Sequence, residues 1–203
     1  MRVVAGFLGG RRLVAPDGRG TRPTNDRVRE ATFNALGSLS VLEGARVLDL
    51  FAGSGALGIE ALSRGAAHCT FVEKDRRALA AVRANLATCG LDHDVAPVVV
   101  GDSLRFVAGL SGTAGDGTRE PRQVEAQEAQ LVGFDVVLLD PPYSFNGWDG
   151  LLASLPSGPD GIVAVIESER PMSIAAPWAV VRQKQYGTTL VTLVQRPAPG
   201  SSR

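Results

Sequence analysis

Three clusters of residues in this chain have types and spacings suited to chemistry. The first is Asp49 with Phe51, Gly53, Gly55 and Gly58 in the stretch RVLDLFAGSGALG, residues 46–58. Its glycines have the G-x-G-x-x-G spacing directly after an apolar run that reads as a strand. Gly53 permits a tight turn, Gly55 lets backbone approach a ligand, and Gly58 lets the following helix pack closely on the strand. The second cluster is Glu73 with Lys74, at the end of the next apolar run. A carboxylate there can accept two hydrogen bonds from a ribose diol, so the two loops together predict a cofactor containing adenosine. The bland alternative is a solvated glutamate at a strand end.

The same loop could grip NAD, and Asp49 bears on the choice. A carboxylate at the C-terminal edge of the first strand, beside a helix N-terminus, repels a pyrophosphate. It suits a ligand whose centre carries an ammonium or sulfonium, which is the chemistry of S-adenosylmethionine. An oxidoreductase would also need a hydride-site acid or base, and His68 and His93 both lie outside these loops. Asp102, in the GDS turn after the third apolar run, is placed to cap the next helix. It, or backbone near Ser103, is also placed to meet an adenine amino group, and both readings stay open.

The third cluster is Asp140, Pro141, Pro142 and Tyr143, the turn that follows FDVVLL. In a doubly wound sheet the strand order reverses between the first and fourth strands, and ligands bind in the crevice at their carboxyl ends. The glycine loop and this turn are therefore expected to face one another. Asp140 and the Pro141 carbonyl can hold an exocyclic amine by its two protons, and Tyr143 offers a flat face for a base. Positioning the nitrogen near an electrophilic methyl carries such a step without a metal, a triad or a strong base. A base inside a duplex cannot reach such a pocket, so the target must be flipped out or unpaired. The competing reading is a rigid turn whose Asp caps a helix and whose Tyr is core.

The whole chain of 203 residues has a formal net charge of zero, which by itself does not favour nucleic acid. Yet Arg2, Arg11, Arg12, Arg19, Arg22, Arg27 and Arg29 crowd the first thirty positions, a basic arm on a neutral body. Cys69, Cys89 and the two histidines have no metal-ligand or disulfide spacing, so no metal is expected and the thiols read as free and buried. No apolar run approaches the ~18 residues of a spanning helix, and a soluble cytoplasmic protein is the expectation.

The elements that must position these clusters are legible in the rhythm of the chain. Residues 2–5 and 12–15 predict a small hairpin, and a helix follows Thr24 and ends near Gly37. Strands are predicted at 46–50, 68–73, 95–100, 134–139 and 162–167, with helices at 56–64, 75–89, 102–108 and 148–154. Runs at 178–184 and 188–195 are too close for a helical crossover and must pair as an antiparallel hairpin. The fold class is α/β: a doubly wound, mostly parallel seven-stranded Rossmann-like sheet with a C-terminal antiparallel hairpin. An N-terminal extension, 1–40, carries the arginines, and one domain spans 41–196. Residues 109–133 read as a flexible insertion with a short helix at about 123–131, and 197–203 as a disordered tail.

The stretches MRVVAG, GRRL, GTRPTNDRVREATFNAL, RVLDLFAGSGALGIEALSRGA, FVEKD, FDVVLLDPPY and YGTT closely resemble the RsmD-type 16S ribosomal RNA guanine-N2 methyltransferases, within the class I S-adenosylmethionine-dependent enzymes. DPPY alone is shared with enzymes that methylate DNA adenine; TRPTNDRVRE is much more specific. The resemblance implies cofactor contacts at Asp49, Phe51, Gly53, Gly55, Glu73, Lys74, Asp102, Ser103 and Asp140, and a target-amine site at Asp140, Pro141, Pro142 and Tyr143. It implies RNA contacts in the arm at Arg11, Arg12, Arg22, Arg27 and Arg29, although Arg27 and Arg29 could equally be salt-bridged structural residues. The implied substrate is guanine 966 of 16S rRNA, methylated on a small-subunit assembly intermediate by a monomer. The alternatives are methylation of another exocyclic amine of RNA or DNA, and a non-catalytic RNA-binding assembly factor. The insertion at 109–133 departs from the family pattern.

Overall fold

The computed structural model describes residues 1–16, 26–110, 133–142, 144–156 and 158–198. Arg22, Tyr143, the 123–131 helix and the end of the tail lie outside them. In chain order the elements are α1 (Asp26–Ser38), β1 (Arg46–Asp49), α2 (Ala56–Ser63), β2 (His68–Glu73), α3 (Arg76–Cys89) and β3 (Val98–Val100). There follow α4 (Ser103–Leu110), β4 (Val136–Leu139), α5 (Trp148–Ser154), β5 (Ile162–Ser168), β6 (Ala179–Tyr186) and β7 (Thr189–Arg196).

Seven strands form one sheet in the order β3-β2-β1-β4-β5-β7-β6. The first five pair in parallel, because a helical crossover between consecutive strands from β1 to β5 returns the chain to the same end of the sheet. β6 and β7 are joined through Gly187 at φ +59, a left-handed turn that glycine adopts without strain, and β7 returns antiparallel beside β5. The sequence reversal falls between β1 and β4, as expected for a doubly wound sheet.

Alternation along the strands divides the core. Val47, Phe71, Val136, Leu138, Val163 and Val165 face α1 and α2, whereas Leu48, Val72, Val137, Leu139, Ala164 and Ile166 face the α4 and α5 side. Helix ends follow local chemistry. Asp75 caps α3 by accepting from the Arg77 and Ala78 N–H groups at 2.9 Å each, and Gly90 closes it in the left-handed conformation. The helices predicted to begin at 75 and 102 therefore begin one residue later, each behind an aspartate cap.

The N-terminal segment makes the expected hairpin in shortened form and is tied to α2 besides. Arg2 and Arg12 form an antiparallel bridge, Val3 N–H donates to the Arg11 carbonyl at 2.9 Å, Gly10 N–H to the Val3 carbonyl at 2.9 Å and Leu13 N–H to the Met1 carbonyl at 3.0 Å, and α2 satisfies further backbone groups. Glu60 accepts from the Val4 and Ala5 N–H groups at 2.7 and 3.0 Å, and Ser63 Oγ accepts from Leu8 N–H at 3.0 Å. Gly6 lies so close that an added Cβ would sit 1.7 Å from the Ser63 carbonyl. Val3, Leu8 and Leu13 join the same core as α1 and the sheet, so the extension is packed on the main domain. β3 is likewise shorter than predicted, starting after Pro97. Among the described residues no helix is long and apolar enough to cross a membrane.

Candidate active site

The carboxyl edge of the parallel sheet carries an acid at the end of four neighbouring strands. In sheet order they are Glu73 on β2, Asp49 on β1, Asp140 after β4 and Glu167 on β5. Register explains why they gather. Asp49 pairs with Phe71 and Leu138, and Leu139 pairs with Ile166, which sets Asp140 beside Glu167. All four positions share the parity of Val47, Phe71, Leu138 and Val165, so they lie on one face of the sheet.

Asp49 is 1% exposed, and its Oδ2 accepts from the Gly58 N–H at 3.0 Å. Gly55 is the N-cap of α2 and has no side chain to offer, so Asp49 satisfies that helix N-terminus from the neighbouring strand. Its Oδ1 has no hydrogen-bond partner. Burial pushes the Asp49 carboxyl up to about 7, against the pull of Gly58 N–H and with the charges of Asp140 and Glu73 adding to the rise. A buried acid with one unsatisfied oxygen, already occupying the helix N-terminus, excludes a phosphate there and fits a cationic group.

The glycine loop is built as its spacing predicts. Gly53 and Gly55 have φ of +55 and +78, and a Cβ on Gly58 would stand 2.3 Å from the Phe71 ring and 2.6 Å from Cys69 Sγ. Asn85 of α3 fastens the loop to the N-terminal segment: its Nδ2 donates to the Ser54 and Val14 carbonyls at 2.8 and 2.9 Å. Glu73 receives Gly53 N–H on one oxygen and the Lys74 and Asp75 N–H groups on the other, each at 2.8 Å. The acid expected to hold a ribose thus also locks the loop that would hold the rest of the ligand.

Asp102 does cap α4, accepting from Leu104 and Arg105 N–H at 3.1 and 3.3 Å. Its other oxygen meets Lys74 Nζ at 3.0 Å, and that bond holds the Asp102 carboxyl below the usual range. Ser103 is buried and donates its hydroxyl to the Leu50 carbonyl, tying α4 to the end of β1. Phe51 stands edge-on to Phe145 with ring centres 5.3 Å apart, and Phe145 in turn to Trp148 at 4.9 Å. Pro141 is buried and Pro142 exposed; the Pro142 carbonyl accepts from Phe145 N–H at 2.8 Å, which turns the chain toward α5. That bond engages the Pro142 carbonyl, and the predicted amine acceptors Asp140 and Pro141 precede it.

Beyond this turn opens a cavity of about 420 Å³ lined by Pro141, Pro142, Phe145, Trp148, Glu167 and Met172, among others. Glu167, Phe145 and Trp148 were not singled out by sequence. The available signal for Glu167 was positional: an acid ending a predicted apolar strand at the same sheet edge as Asp49 and Glu73.

The arm requires a correction. Arg11, Arg12 and Arg27 are exposed, and Arg11 donates to the Thr88 carbonyl at 2.8 Å near the end of α3. Arg29, named as an RNA contact with a salt-bridged structural role as the equal alternative, is fully buried and takes the structural role. It bonds to the Arg2 carbonyl, to Asp26 at 2.8 Å, and pairs with Glu60 at 3.6 Å. Its charge serves packing, because a guanidinium sealed between α1 and α2 cannot reach a phosphate. Among the described residues no group of side chains could hold a metal ion.

This sheet order, with an acid-bearing glycine loop facing an Asp-Pro-Pro turn across the β1–β4 reversal, defines the class I, Rossmann-like methyltransferase fold. Residues 1–195 match the family described as Conserved hypothetical protein 95, and the chain belongs to that family. It is 36% identical over 217 aligned residues to Ribosomal RNA small subunit methyltransferase D of Escherichia coli K12, covering 100% of this chain and 93% of that one. The solved Escherichia coli protein yhhF superposes with a TM-score of 0.77 at 33% identity, over 98% of this chain and 99% of that one. An RNA methyltransferase from Salinibacter ruber, solved with S-adenosyl-L-homocysteine, shares the fold at a TM-score of 0.58 and 22% identity, over 89% and 98% of the two chains. Methyl transfer is the activity that fold and family assign to the chain.

Proposed function

We propose that the chain methylates the exocyclic N2 amine of a guanine in 16S ribosomal RNA, guanine 966, using S-adenosylmethionine and acting as a monomer on a small-subunit assembly intermediate. The observation that carries this reading is the placement of Asp140 and Pro141 beside Asp49 at the strand-order reversal, one pair suited to an amine and the other to a cation. S-adenosylmethionine, when bound, supplies the electrophilic methyl. Glu73 would hold its ribose, Asp49 its positively charged side, Phe51 and Asp102 with Ser103 its adenine, and Lys74 would keep Asp102 in place. Asp140 and the Pro141 carbonyl accept the two N2 protons and aim the nitrogen lone pair along the line of attack. Stacking on Tyr143 would hold the flipped base. Residues 1–40, with Arg11, Arg12, Arg22 and Arg27, would bind the RNA backbone. The ribosomal RNA specificity of the Escherichia coli relative supports the substrate class.

Transfer of a labelled methyl group from S-adenosylmethionine to small-subunit RNA taken from cells lacking the enzyme tests the reading. The expected product is N2-methylguanine; any other methylated base overturns the assignment.

A further inference from the structure

Glu167 is the one acid of the four-strand edge that the proposed chemistry leaves without a task. It is 6% exposed, and its Oε1 has no hydrogen-bond partner. Buried carboxylates are rarely left so, because an unmet acceptor forfeits its hydration with nothing in return. Burial pushes its carboxyl up to about 8, with the neighbouring Asp140 charge adding to the rise and Arg29 opposing it. Its side chain lines the 420 Å³ cavity that begins at Pro141 and Pro142 and is walled by Phe145, Trp148 and Met172. That volume lies within the range of small-ligand sites, and the flat apolar walls suit a base. The pairing of Leu139 with Ile166 places Glu167 directly beside Asp140 on the same face of the sheet.

We propose that Glu167 reads the Watson–Crick edge of the target base, accepting hydrogen bonds from guanine N1–H and from the N2–H it shares with the Pro141 carbonyl while Asp140 holds the second N2 proton, and thereby sets the choice of guanine. This rests on the guanine-N2 reading above and goes beyond it by naming the residue that selects the base. Guanine alone among the common bases presents two adjacent donors on that edge, and an ionised carboxylate presents two matching acceptors. Adenine and cytosine place a ring-nitrogen lone pair next to their amines, and that lone pair would face the carboxylate and be repelled. Uracil offers a single donor between two carbonyls. The two donors of guanine also favour the ionised form of Glu167 that burial alone disfavours. Glu167 is thus a specificity residue, and Asp140 beside it positions the reacting nitrogen.

The test uses small subunits reconstituted with ribosomal RNA that carries either guanine or 2-aminopurine at the position the wild-type enzyme methylates. 2-Aminopurine keeps the N2 amine, replaces N1–H by a lone pair and lacks the O6 carbonyl, so the Glu167 variant is what assigns a preference to the carboxylate. The wild type is expected to prefer guanine at least tenfold in kcat/KM and in competition binding measured without cofactor, since one good paired contact discriminates by about that factor or more. Glu167→Gln, whose amide offers one donor and one acceptor, should lose that preference or invert it toward 2-aminopurine. Equal use of the two bases by the wild type, a measurement that needs no variant, overturns the proposal. So does a guanine preference that Glu167→Gln leaves unchanged while lowering both rates alike. If the wild type places no methyl on guanine N2 at all, the proposed function itself fails, an outcome distinct from methylation without discrimination.

Discussion

Asp49 and Asp140 sit on adjacent strands at the same edge, yet their environments give them different work. Asp49 is sealed under the glycine loop and keeps its proton to about pH 7 in the folded chain, against 3.8 for an ordinary aspartate. Folding therefore takes up a proton between those values, so this group's contribution to stability is complete below pH 3.8 and is lost as pH rises to about 7. Asp49→Asn keeps an acceptor for Gly58 N–H and removes the charge. Above pH 7 the variant is expected to unfold later than the wild type, by on the order of a few kcal/mol, and to lose affinity for the cationic cofactor. Thermal denaturation across pH 4–8, beside calorimetric titration with S-adenosylmethionine, checks both halves. Asp140 is half-buried and immediately precedes Pro141, which lines the cavity. Asp140→Ala should cut turnover at least tenfold and leave RNA affinity nearly unchanged, because one group holding the reacting nitrogen is gone. Single-turnover rates and filter binding separate the two effects, and a matching loss of affinity would refute the assignment.

The glycine loop depends on the fit between α2 and β2. Gly58 is the position where that fit is tightest, with the Phe71 ring and Cys69 Sγ occupying the space a Cβ would need. Neither can swing aside, since both are fully buried among core residues. Gly58→Ala must therefore shift α2 away from the sheet, moving Gly58 N–H off Asp49 and the Glu60 carboxylate off Val4 and Ala5. A loss of about 1–3 kcal/mol in urea unfolding is expected, together with weaker cofactor binding. Unaltered cofactor affinity in the folded variant would show that the loop tolerates movement of its helix.

Across the whole molecule, the N-terminal segment shares a core with α1, α2 and the sheet while presenting Arg11, Arg12 and Arg27 outward. Arginines close in sequence therefore have separate duties. Reversing the charge of Arg11 and Arg12 is expected to weaken RNA binding and lower its salt dependence by about one to two units of slope, with stability little changed. Arg29→Ala should do the opposite. It leaves Glu60 buried with one fewer cation, and a cost of about 3–5 kcal/mol in stability is the expected result. Salt titrations of RNA affinity and denaturant melts of the two variants distinguish these roles; an equal loss of RNA affinity in a folded Arg29→Ala protein would return Arg29 to the RNA surface.

Much of this protein is legible in its sequence. The alternation of strands and helices, the terminal hairpin, the glycine loop and the Asp102 cap follow from local rules, because backbone sterics, capping and periodicity act over a few residues. Asp49 and Asp140 could be named for the same reason, as each ends a recognisable strand beside a distinctive turn. What local rules could not supply is anything that depends on which distant segments touch. Arg29 had two open readings, RNA contact or salt-bridged residue, and Glu60, on another helix, decided between them. The N-terminal hairpin could be read from its own residues, but its docking on Glu60 and Ser63 of α2 could not. Glu167 acquired meaning only when parallel register set it beside Asp140 at the rim of a cavity. Burial and pairing are properties of the packed chain, and they decided which charges face a ligand and which hold the fold together.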